Sequence, residues 1–132
     1  MIALIALSLL QAAPDAAGAE PEAAALAELE ARGRRLFLRC QACHALADGE
    51  PHKVGPSLYG FWGEPAASRE GFGYSDALAS AEIVWDAESL HAFLERPSRA
   101  VPGTTMAFAG LSREADRDAV IAYMRAQTGA ED

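Results

Sequence analysis

Apolar residues recur at helical spacing in three stretches of the chain and nowhere alternate as a half-buried strand would. The first stretch predicts a helix from Glu22, with Leu29, Leu36 and Phe37 on its inner face. Along it Glu22, Glu28 and Glu30 precede Arg32, Arg34, Arg35 and Arg39, a charge order that complements the helix dipole. Gly33 interrupts good helix formers at a cost of about 1 kcal/mol, which points to a second helix crossing closely there. In the second stretch Asp86 caps a short helix that carries Leu90, Phe93 and Leu94 on one face and stops before Pro97. In the third, Ser112 caps a last helix with Ala119, Val120, Tyr123 and Met124 inward and Gly129 at its end.

Between these stretches the pattern breaks. From Ala47 to Ser75 glycines and prolines come too often for long regular elements, yet Tyr59, Phe61, Trp62, Phe72 and Tyr74 lie among them. Such an aromatic content favours ordered loops wrapped round a prosthetic group over a solvated linker. Pro14 to Pro21 is rich in Ala, Gly and Pro and reads as a linker. The architecture expected is small and all-α, three main helices plus loops.

Length and composition narrow the picture. A chain of 132 residues suffices for one domain with a modest core, and its 51% apolar content is inflated by alanine. The formal net charge of −8 argues against nucleic acid and against an anionic membrane surface as partners. Residues 1–13 form an apolar run too short to span a bilayer but long enough for the core of a secretory signal, with small residues suited to cleavage after Ala17-Gly18-Ala19. Residues 1–19 are therefore expected to be a leader and 20–132 the functional domain, exported to the periplasm. No Lys or Arg opens the run, so translation is expected to start upstream of Met1. A retained leader would make a weak anchor at most, and no stable membrane insertion is expected.

The candidate chemistry begins at Cys40-Gln41-Ala42-Cys43-His44, the attachment signature of c-type haem. Two thiols one helical turn apart can add to the vinyl groups of one porphyrin while His44 reaches the iron. They are the only cysteines in the chain. A disulfide between them would close a loop too small to stabilise much. A thioredoxin-like dithiol needs a βαβ surround that is absent, and a structural zinc needs a second pair of ligands.

What fills the other iron face decides function: His plus Met makes an electron-transfer centre, whereas an open face permits gas binding or peroxide chemistry. Of the three methionines, Met1 lies in the expected leader and Met124 sits at core spacing in the last helix. Met106 lies in the helix-breaking stretch 101–110 and is the expected sixth ligand. His52 follows His44 too closely to reach the opposite face, and His91 sits on the second predicted helix, where a surface or hydrogen-bonded role is commoner.

With Cys40-x-x-Cys43-His44 near the front and Pro102-Gly103-Thr104-x-Met106 near the back, the chain resembles class I cytochrome c, from about Gly33 to Gln127. That resemblance implies the small cytochrome c fold around one haem c held by two thioethers, with His44 and Met106 on the iron. It implies that Gly33 and Phe37 pack against the C-terminal helix at Tyr123. Pro56, in Gly55-Pro56-x-Leu58-x-Gly60, would accept a hydrogen bond from the proximal histidine, and Tyr74, Trp85 and Thr104 would bind the haem propionates or their water. It further implies a monomeric carrier rather than an enzyme, serving a quinol-oxidising cytochrome complex, a terminal oxidase or a periplasmic dehydrogenase. A haem enzyme or gas sensor with an open distal site is the alternative.

The chain also departs from the family pattern. Glu64 stands where relatives often carry an arginine directed at a propionate, so another donor or greater solvent exposure must neutralise that carboxylate. Phe93 replaces a tyrosine that bonds the methionine sulfur. Lys53 is the only lysine and Thr105 precedes Met106, so the lysine ring used for docking by mitochondrial relatives is missing.

Overall fold

The computed structural model describes residues 16–129; the apolar run at 1–13 lies outside the described residues. Among the described residues five helices follow one another, α1 (Ala16–Gln41), α2 (Asp76–Ala79), α3 (Ala87–Glu95), α4 (Pro97–Ala100) and α5 (Glu114–Thr128). Among the described residues there is no strand, only an isolated antiparallel bridge between Pro65 and Val84. None of the described helices is long and apolar enough to cross a membrane. The all-α expectation holds.

The first and last helices hold the molecule together. α1 crosses α5 at Gly33, where a Cβ would run into the Ala119 carbonyl and come within 2.7 Å of the Tyr123 Cβ. One turn further along α1, Phe37 is only 3% exposed and its ring sits 5.5 Å from that of Tyr123. Burying a ring of this size stabilises the crossing by about 2 kcal/mol. Arg32 of α1 pairs with Asp116 in the first turn of α5. α3 completes the core through Leu90, Phe93 and Leu94, which cluster with Val120, Ile121 and Met124 of α5.

The caps explain most of the helix limits. The Asp86 carboxylate accepts from the Ser89 N–H at 2.8 Å and the Ser89 hydroxyl accepts from the Asp86 N–H at 2.9 Å, a closed capping box on α3. Pro97 then opens α4, its missing N–H costing nothing at a helix start. Gly129 closes α5 in the left-handed region at φ 63°.

Two expectations are corrected. The helix expected from Glu22 begins at Ala16, and Ala16–Pro21, read as linker, is helical with Pro21 inside it. Proline cannot donate to the carbonyl four residues back, but the alanines around it are the strongest helix formers and carry the winding through. Residues 18–28 are exposed throughout, so no packing assists them. At the other end Arg113, not Ser112, occupies the N-cap of α5, with no side-chain cap bond. The Ser112 carbonyl instead accepts from Arg117 at 3.0 Å, while Glu114 and Asp116 complement the dipole of the first turn.

Candidate functional site

The end of α1 runs directly into a tight turn. The N–H groups of Cys43 and His44 both donate to the Cys40 carbonyl, at 3.0 and 2.9 Å, so the five-residue signature continues the winding of the helix. The loop that follows folds back on this turn, Gly55 N–H donating to the Cys43 carbonyl and Leu58 N–H to that of Ala45, both at 2.8 Å. Lys53 ties the loop to the helix end by donating to the Gln41 carbonyl at 2.5 Å.

This stitching brings Pro56 to the His44 ring. Nδ1 lies 2.7 Å from the Pro56 carbonyl oxygen, and because a carbonyl only accepts, Nδ1 carries the proton. The lone pair is then on Nε2, as a metal ligand requires. Burial lowers the His44 pKa, the Pro56 bond pulling it up and Lys53 adding to the fall; the ring is kept neutral. Gly55 is needed for the close approach, since a Cβ there would stand 2.8 Å from Nδ1 and 2.9 Å from Nε2. Burial pushes the Cys40 thiol above its usual value, against the pull of Arg39 and with a smaller contribution from Cys43. Both thiols are free and half-buried.

Cys40, Cys43, His44 and Pro56 border one apolar cavity of about 260 Å³. The stretch 104–108 lines it too, bringing in Thr104 and Met106 from beyond α4. The Thr104 hydroxyl accepts from the Met106 N–H at 3.3 Å, and the Met106 carbonyl accepts from Phe108 at 3.1 Å. Tyr74 and Trp85 complete the set, so all eight sequence-derived site residues meet at one cavity. Trp85 packs edge-on against Phe93 at 5.1 Å and exchanges backbone bonds with Gly63 and Glu64. Glu64 and Phe93, the two departures from the family pattern, line the same space. Met124 touches the cavity as well, from within the core.

The two remaining histidines are committed elsewhere. His52 accepts from the Ser57 N–H at Nδ1 and donates from Nε2 to the Glu70 carbonyl, each at 2.9 Å. His91 accepts from Arg117 at Nδ1 and meets Asp118 at 2.9 Å through Nε2. Arg69, which no motif singles out, also lines the cavity. Its signal was spacing: it is the only Lys or Arg between Lys53 and Arg96.

These residues fit a haem. Two adjacent thiols, an imidazole with its outer nitrogen held protonated, a thioether side chain and an apolar wall are the donor set and the surround it requires.

The cytochrome c family model matches residues 30–128, close to the span over which the sequence resemblance runs. Cytochrome c of Kluyveromyces lactis is 42% identical over 96 residues, which cover 72% of this chain and 87% of that protein. Cytochrome c2 of Rhodoblastus acidophilus is 44% identical over 92 residues, covering 70% and 86%. Among solved structures, cytochrome cH from Methylobacterium extorquens superposes with a TM-score of 0.69 at 38% identity, over 74% of this chain and 97% of its own.

Proposed function

The chain belongs to the cytochrome c family, a haem-based electron carrier, and we propose that it moves single electrons through the periplasm as a monomer. Its partners would be a quinol-oxidising cytochrome complex, a terminal oxidase or a periplasmic dehydrogenase, of respiration or of photosynthesis. Haem c, joined by thioethers to Cys40 and Cys43, supplies the one-electron iron couple.

One observation carries the reading: Met106, from the far end of the chain, lines the same cavity as His44, whose Nε2 is left free by the bond to Pro56. An imidazole and a thioether on the two iron faces serve both oxidation states with little rearrangement and leave no position for a substrate. The committed ring nitrogens of His52 and His91 favour Met106 as the second ligand. Tyr74, Trp85 and Thr104 would bind the propionates or their water. Export would use residues 1–19 as the leader.

Docking would be brief and apolar. Val54 borders the cavity and is 82% exposed, whereas the lone lysine beside it is engaged with Gln41. The ferric holoprotein should show the far-red sulfur-to-iron charge-transfer band; a high-spin spectrum without it would overturn the reading in favour of an open-site enzyme or sensor. Mass spectrometry of the exported protein should find the haem attached and the leader removed.

A further inference from the structure

We propose that Arg69 is the cation that neutralises a haem propionate in this chain. Arg69 is half-buried and lines the cavity. Its Nη2 lies 3.1 Å from where a Cβ on Gly60 would stand, so the side chain folds back over the loop rather than reaching into solvent. No carboxylate meets it among the described residues; the ion pairs of Arg32 and His91 lie elsewhere. A cation turned toward an apolar cavity is stabilised when an anion enters beside it.

The ligand of this cavity brings carboxylates of its own. Glu64, the acidic residue at the cavity, repels them, and Arg39, the other arginine there, is exposed. Arg69 is the only Lys or Arg in the whole stretch 54–95, and the one histidine there, His91, lies on a helix and is engaged with Asp118. Its influence already reaches a proposed propionate donor: burial raises the Tyr74 pKa, and the backbone N–H and charge of Arg69 pull it back. Burial is the larger of these effects, and it keeps the Tyr74 hydroxyl protonated and able to donate.

The inference rests on haem filling the cavity, and its test separates the two. Holoprotein carrying 13C-labelled propionates is titrated by NMR, alongside Arg69→Gln and Arg69→Lys, with the midpoint potential followed against pH. In the unsubstituted protein at least one propionate should remain ionised well below the ordinary carboxylate range. Arg69→Gln should raise its proton affinity at least about tenfold, as loss of an adjacent cation does, lower the midpoint potential and move its pH-dependent region upward. Arg69→Lys should restore most of each change. The proposal is overturned if both propionates titrate normally in the unsubstituted protein, a result that stands even where Arg69→Gln yields no holoprotein. It is overturned equally if the Arg69→Gln profile superimposes on the original. Covalent haem mass and the far-red band, measured on the same samples, report on the carrier reading independently.

Discussion

Gly33 of α1 lies directly against the Ala119 carbonyl of α5, with no space for a side chain between them. Gly33→Ala should therefore push the helices apart and destabilise the holoprotein by about 3 kcal/mol, the upper part of the range for overpacking a fitted contact. Urea denaturation measures it. A midpoint unchanged from that of the original protein would mean that the crossing slides freely, contrary to the tight seat of Phe37 below it.

Two methionines border the cavity, and they should respond oppositely. Met106→Ala should abolish the far-red band and lower the midpoint potential. Met124→Ala should keep the band and cost about 2–5 kcal/mol of stability, as deletion of a buried side chain does. An exchange of these outcomes would move the ligand to α5.

The capping box on α3 gives a pH dependence with a definite sign. Bonds from the Ser89 N–H and then the Ser89 hydroxyl hold the Asp86 carboxyl below its ordinary 3.8, burial opposing slightly and Glu88 assisting. The folded state thus binds this proton more weakly than the unfolded chain, so the contribution is complete above 3.8 and is lost as pH falls through the depressed native value. The gap in urea midpoint between the original protein and Asp86→Ala should narrow below pH 3.8. A gap that widens on acidification would contradict the box.

Docking should respond weakly to salt. With a formal charge of −8 and a single lysine already bonded to Gln41, the chain offers little to an acidic partner. Raising salt from about 0.01 to about 0.1 M, which shortens the Debye length from about 30 to about 10 Å, should leave the electron-transfer rate with such a partner nearly unchanged. Lys53→Gln should not alter that profile. A steep fall in rate would show a basic docking face elsewhere.

Sequence logic reached furthest where one residue does one local job. Asp86 caps, Pro97 stops, Gly129 turns, and the Cys40 to His44 spacing is set by a helical turn, so each is visible within a few residues. The start of α1 was hidden because Pro21 signals a break while its alanine neighbours favour continuation, and local rules do not rank the two. α2 and α4 are too short to show a period. Arg69 was hidden for a different reason. A cation in a loop is ordinarily solvated, and only the folded chain shows it facing the cavity without an anion beside it.

The pairing of α1 with α5 also sets an order in time. Residues 40–44 emerge from synthesis seventy residues before the start of α5 at Glu114, yet Phe37, at the cavity wall, is seated by Tyr123 and its neighbours. A chain truncated before α5 lacks the lid of its own core. The attachment sequence is therefore presented to any ligating machinery as an uncovered helix end first and as a closed pocket only afterwards, and whatever joins haem to Cys40 and Cys43 has its easiest access before the last helix arrives.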